Sequence, residues 1–262
     1  MRRVIRTAWS TGCGNCSRIM ETELVFEDYR KVEANLICRL MRKIPGQPFD
    51  RIVTTRAFAD LYAVPYQYRK RTDGTADCRP LVLPCLRRWG MEAEDICSDA
   101  VKNMERLFPA VLEPLESLMQ SDRKGSVKSV LLELLKQRMP TVEGSRLNRV
   151  AEVLAARVGE RAQKASGLGP MWYLGNTGGL YGASSLLYPG VLSAFAKMTK
   201  QSFFILPASV HHVILLPENG SESRELLYGM VASGNNRIEE KEKILSGSVY
   251  YFDAGKTNIR LF

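Results

Sequence analysis

Residues 170–262 constrain the chain most, because apolar runs and breakers alternate there too regularly for anything but a small layered fold. "MWYL" opens the block as a strand, a glycine-rich turn follows, and a helix runs from Pro189 to about Thr199. Proline suits the first helical position, where its missing N–H is not needed. Two strands come next, "SFFILP" and "HHVILLP". A helix "ESRELLYGMVAS" ends at Gly234, and a short helix carries "EEKEKIL". "SVYYFD" and "TNIRLF" make a final hairpin around Gly255. This order predicts an α+β fold, a mainly antiparallel sheet with helices packed on one face.

Upstream the signals are less regular. Residues 1–25 form a loosely ordered segment. Residues 26–120 read as an α+β subdomain of helix, hairpin and helices. In "FEDYRKVEANLICRLMRKI", Val32, Leu36, Leu40 and Ile44 recur at four-residue spacing and predict a helix that "PGQP" stops. "FADLYAVPYQYR" and "CRPLVLP" read as a hairpin turning at Asp73-Gly74. Pro65 belongs on an edge or a bulge there, since it cannot donate to a ladder. "MEAEDICSDAVKNMERLFP" predicts a helix with Ile96, Ala100, Met104 and Leu107 on one stripe, and a short helix after Pro109 runs to about Met119. Residues 121–169 are a helical linker region, beginning with "SDRKGS". Its second helix, "SRLNRVAEVLAARVGERAQKA", turns Leu147, Val150, Leu154 and Val158 one way and places Arg146, Arg149, Arg157 and Arg161 elsewhere. The block 170–262 is expected to pack with 26–120 as one unit.

No apolar run reaches the roughly 18–20 residues of a membrane span, and the start "MRRVIRTAWSTG" has no apolar stretch of the secretory kind. A cytoplasmic location without membrane contact is expected, with the six cysteines mostly as thiols. The net charge of +9 attracts anionic partners, nucleic acid or an acidic protein.

His211 and His212 are the two histidines of the chain. Adjacent residues in a strand point to opposite faces, so the two rings do not meet at one metal ion. The spacing leaves Ser209 and His211 on one face, while a strand-entry histidine bonded to backbone is the plainer reading. "CGNC", Cys13 to Cys16, has the spacing of a dithiol or half a zinc knuckle. No matching second half follows: Cys78 and Cys85 are too far apart for a knuckle, and Cys38 and Cys97 read as helical. "YLGNTGGLYGASS" puts glycines between strand and helix but lacks Gly-Lys-Ser/Thr and G-x-G-x-x-G, so its glycines read as tight-turn residues rather than a phosphate cradle. Neither a metal nor a cofactor is expected. Basic features are Arg69, Lys70 and Arg71 in "YQYRKR", where neighbouring tyrosines suit base stacking, and the arginine helix.

"GASSLLYPGVLSAFAKM", "FILPASVHHVILLPE", "MVASGNNRI" and "LSGSVYYFD" resemble the tail signature of the bacterial domain of unknown function 5688 family. "RRWGMEAEDICSDAVKNMERLFPAVLEPLESLM" is similar to that family's tryptophan-glycine turn and following helix. The resemblance covers roughly residues 26 to 253 and implies a shared α+β fold, without an activity. The family reads Pro-Ser-Ser-x-His-Glu where this chain has Pro207-Ala208-Ser209-Val210-His211-His212. Family members carry more amino-terminal sequence, so a shortened or differently started version is expected. Three functions follow as expectations: a non-catalytic interaction or regulatory module, a nucleic-acid-binding protein using the basic hairpin and arginine helix, and a hydrolase or transferase centred on His211 with Ser209 and Asn176.

Overall fold

Leu36 to Met41 are six consecutive buried residues, and a strand buried on both faces shows no alternation. This segment is strand β1 (Leu36–Arg42), not the helix that its apolar spacing predicts. Among the described residues, Tyr29–Val32 (α1) and a 3-10 turn at Glu33–Asn35 are helical before it. The computed structural model describes residues 28–43, 49–70, 72, 76–119 and 127–262, so Ile44 and "PGQP" lie outside the described residues.

β1 pairs with β3 (Leu61–Lys70), which also pairs with β2 (Thr55–Phe58) and β4 (Ala76–Pro80). The β3–β4 hairpin is the one expected, in register from Tyr66 with Pro80 to Lys70 with Ala76. Its Asp73-Gly74 turn lies outside the described residues. Pro65 sits on neither an edge strand nor a bulge, because β3 is central. Its carbonyl accepts the Leu81 N–H at 2.9 Å, so this residue's bonding side faces β4 and its missing N–H removes nothing from the β1 ladder.

The second sheet has the order β10-β9-β7-β8-β6-β5. Its strands are β5 (Ala110–Pro114), β6 (Trp172–Asn176), β7 (Phe203–Ser209), β8 (His212–Pro217), β9 (Tyr250–Asp253) and β10 (Asn258–Leu261). Every described ladder is antiparallel. β5 corrects the helix expected after Pro109: "AVLEP" adds an edge strand to β6, and the helix α4 is confined to Leu115–Met119.

Helices α2 (Leu83–Trp89) and α3 (Ala93–Leu107) follow the first sheet, and α3 lays buried Ile96, Ala100 and Met104 against β1 and β3. Helix α7 (Val191–Thr199) begins after Gly190, whose φ of 79° places it in the left-handed region. Pro189 therefore precedes the helix instead of opening it. Helix α8 (Arg224–Asn236) is capped by Ser223, whose hydroxyl accepts the Leu226 N–H at 3.1 Å.

β7 shows how the second sheet is covered. Phe203 and Ile205 join the large core with Phe195 of α7, while Phe204 and Leu206 face Leu227 and Val231 of α8. The class is α+β, and in this sheet both faces carry a helix where the sequence suggested one. The two sheets are joined at Asp60, between β2 and β3, which accepts the Tyr250 hydroxyl at 2.6 Å and the Ser246 hydroxyl at 3.0 Å.

Helices α5 (Val127–Arg138) and α6 (Gly144–Ser166) form a hairpin. The "SDRKGS" linker before it lies outside the described residues. α6 buries Leu147, Ala151 and Ala155, while Val150 and Val158 of the expected stripe are exposed. The alanine-lined stripe takes the inward position, since small side chains let neighbouring helices approach. Among the described residues no helix is long and apolar enough to cross a membrane.

Candidate functional site

A turn of two residues, Val210 and His211, joins β7 to β8, so His211 lies in the turn and His212 opens the strand. Ser209 Oγ accepts the His211 N–H at 3.1 Å and lies 3.1 Å from His212 Nδ1. The hydroxyl expected beside the His211 ring thus serves its amide and the neighbouring ring. The two imidazoles have different companions. His212 stacks on Tyr173 with centroids 5.2 Å apart, and His211 lies along Tyr181 at 6.1 Å with an interplanar angle of 11°.

The glycine-rich loop does come to His211. The Tyr181 N–H donates to His211 Nδ1 at 3.3 Å. A Cβ on Gly182 would stand 2.3 Å from the His211 carbonyl oxygen and 2.9 Å from the Asn176 nitrogen, so the close approach needs glycine. Asn176 is buried and its Nδ2 donates to the Leu180 carbonyl at 2.9 Å. Ser185 Oγ donates to the Gly175 carbonyl at 2.8 Å. Two buried polar atoms here, Asn176 Oδ1 and the Tyr181 hydroxyl, make no hydrogen bond among the described residues.

Burial first, then the positive charges of Arg39, His212 and Lys243, pull the His211 imidazole down to about 4. The ring is neutral at pH 7, and with Nδ1 accepting an amide proton its own proton sits on Nε2. Burial also lowers His212. Among the described residues neither ring is bonded to a carboxylate, and no group of His, Cys, Asp and Glu is arranged to hold a metal ion.

Arg39 of β1 is the residue the sequence reading missed. It is 6% exposed, yet among the described residues its guanidinium meets no carboxylate in an ion pair. It donates to the Glu242 carbonyl at 2.7 Å and to the Tyr66 hydroxyl at 3.5 Å, with its carbon 4.9 Å from the Tyr181 ring centroid. Tyr181 has a φ of 47°, a left-handed conformation uncommon outside glycine. The Val210 N–H reaches the Lys243 carbonyl at 2.8 Å, so the 3-10 turn Lys241–Lys243 is tied to the histidine turn next to its bond with Arg39.

The basic candidates lie elsewhere. Arg69 and Lys70 are exposed at the end of β3, and Arg71 is outside the described residues. Tyr66 is in the core and Tyr68 packs edge-on against Phe108 at 5.5 Å, so neither ring is presented for stacking on a base. On α6, Arg146, Arg149 and Arg157 are exposed and none is ion-paired within the described residues. Arg161 falls in the last turns, where side chains are not described. At 3.6 residues per turn, Arg146, Arg149, Val150, Val153 and Arg157 share one stripe about 100° wide. Glu152 lies off that stripe and reaches Lys128 Nζ at 3.8 Å.

The same hairpin is unusually apolar outside. Of eleven exposed large hydrophobic side chains among the described residues, seven belong to it. They are Val130 and Leu134 on α5, Met139 and Val142 in the connection, and Val150, Val153 and Val158 on α6. The buried residue of α5 is a lysine, Lys128.

Cys38, Cys78, Cys85 and Cys97 are buried free thiols, and Cys38 sits on β1 rather than in a helix. Burial pushes the Cys97 thiol up to about 11 and the Cys78 thiol up to about 12. Cys13 and Cys16 lie outside the described residues.

The segments that carry the family resemblance are those that hold the sheets together. "GASSLLYPG" forms the 3-10 turn Gly182–Leu187, in which Ser184 Oγ accepts the Leu40 N–H from the β1 edge at 3.0 Å. "LSGSVYYFD" supplies Ser246 and Tyr250 to Asp60. Compared with curated proteins and with solved structures, the chain finds no match in either. A family model matches residues 2–254, and on that extent the chain belongs to the Family of unknown function (DUF5688).

Proposed function

We propose that this protein is a cytoplasmic, non-catalytic interaction module whose partner binds the outer face of the α5–α6 hairpin. One observation carries the reading: exposed arginines, and most of the exposed large apolar side chains among the described residues, are gathered on one hairpin. Surfaces that combine apolar and cationic groups in this way are typical of binding sites. The chemistry-bearing cluster is built inward by contrast. His211 at neutral pH offers no free basic nitrogen, because Nδ1 is taken by the Tyr181 amide. A hydrolase or transferase needs a nucleophile, a base and an orienting group within reach of substrate. Among the described residues the Ser209–His212 contact lacks the third.

Nucleic-acid binding is a second reading, favoured by exposed Arg69 and Lys70 together with Arg146, Arg149 and Arg157. It predicts affinity that falls steeply with salt, because phosphate contacts release counterions.

A photo-crosslinking residue placed at Val153 in cells tests the proposal, with Met198, exposed on α7, as the control position. A discrete adduct at Val153 that is missing at Met198 is expected. Equal or no adducts at the two positions would refute the assignment of this face.

A further inference from the structure

We infer that the partner laid on α6 is an acidic segment of another protein, presented as an amphipathic helix. The inference rests on the interaction-module reading and names the partner's chemistry. Val150 and Val153, both close to half exposed, lie among Arg146, Arg149 and Arg157 within one stripe rather than beside them. A single partner face must therefore offer carboxylates and apolar side chains together. The stripe runs from residue 146 to 157, about 16 Å of helix at 1.5 Å per residue. That length suits about three turns of a partner helix reading i, i+3, i+4 and i+7.

Other occupants fit less well. A second copy would bring arginine stripe against arginine stripe, and residues 127–158 carry six cations against three carboxylates. The like charges oppose self-docking through this face. A nucleic-acid backbone would satisfy the arginines but leave the valines against hydrated phosphate. A membrane-surface helix keeps its basic residues on the polar face and large apolar groups on the other. Here short valines and arginines interleave.

The test is fluorescence anisotropy with the full chain and four probes. These are a labelled peptide of about 18 residues, long enough to be helical, with leucines at i, i+3, i+4 and i+7 among glutamates; its scrambled isomer; duplex DNA; and phosphatidylserine-containing vesicles. Two variants run alongside, Val150→Ser/Val153→Ser and Arg146→Gln/Arg149→Gln/Arg157→Gln. All five positions are exposed, so circular dichroism and melting should match the parent. The expected result is binding of the patterned peptide, roughly tenfold weaker for the scrambled peptide and for each variant. The inference is overturned if both peptides bind alike, if no peptide binds, or if DNA or vesicles bind tightly and without regard to the valines. A dimer in sedimentation that the valine variant dissolves would also overturn it. A nucleic acid or lipid crosslinked at Val153 in cells would sink this inference while leaving the module reading intact. The lack of any crosslink would remove both.

Discussion

His211 ties the stability of the fold to pH. Its imidazole is held at about 4 in the folded chain against 6.5 for the free side chain. The unfolded chain therefore takes up a proton below pH 6.5 that the folded chain refuses until about pH 4. Stability is complete above pH 6.5 and drains away as the pH falls through that window. Integrating the two titrations from pH 7.5 to pH 5 gives a loss of about 2 kcal/mol from this residue. Partial solvent contact of the ring makes that an upper figure. The lowered His212 adds a term of the same sign. The assay is urea unfolding followed by tryptophan fluorescence at pH 7.5, 6.5, 5.5 and 5.0. It compares the parent with His211→Gln, whose amide oxygen can still accept the Tyr181 N–H. The variant should be less stable at pH 7.5 and should lose less on acidification, so the two curves converge. Parallel curves would refute the reasoning, since they would mean that acid acts elsewhere.

Gly182→Ala places a methyl group 2.3 Å from one backbone atom and 2.9 Å from another, so a loss of several kcal/mol or failure to fold is expected, read by soluble yield and melting. Gly229→Ala in α8 is its counterpart: nothing lies within 4 Å of the new Cβ, and a gain of about 0.5–1 kcal/mol should raise the melting temperature by a few degrees. Asp60→Ala strands the Tyr250 and Ser246 hydroxyls between the sheets, at a cost of about 2–4 kcal/mol in urea unfolding, whereas Tyr250→Phe removes one bond and about 1 kcal/mol. Iodoacetamide followed by peptide mass spectrometry should leave Cys38, Cys78, Cys85 and Cys97 unmodified until denaturant is added, because each thiol is buried and shifted up.

The elements legible in the sequence were those whose periodicity allowed one reading or whose apolar run was closed by breakers. α3 and β9 alternate between core and surface, while β7 and β8, buried through much of their length, are short aromatic and β-branched runs that proline interrupts or ends. β1 is buried along six consecutive residues, and its apolar letters at positions 36 and 40 satisfy a helical period as readily as a strand. β5 is a short edge strand ending in proline, and its existence depends on β6, nearly sixty residues further on, to pair with. The same non-locality hid the polar cluster. Glu242 supplies its carbonyl to Arg39 across 203 residues, and Tyr181 meets His211 across 30.

This division decides which charges can act. Arg39 and Arg149 count equally toward the net charge of +9, and composition makes both attractors of anions. Folding separates them: Arg39 is closed in by a main-chain carbonyl and two tyrosine rings, while Arg149 stands exposed on the outer stripe of α6. A cation enclosed by its own fold offers a partner no direct contact. The available charge is therefore the part left outside, and on α6 it lies among valines that folding also left outside. Charge without those valines would suit any polyanion, and valines without the charge would suit any apolar surface. Their interleaving on one stripe narrows the choice to a partner that carries both, which is why the valine and arginine variants must fail together.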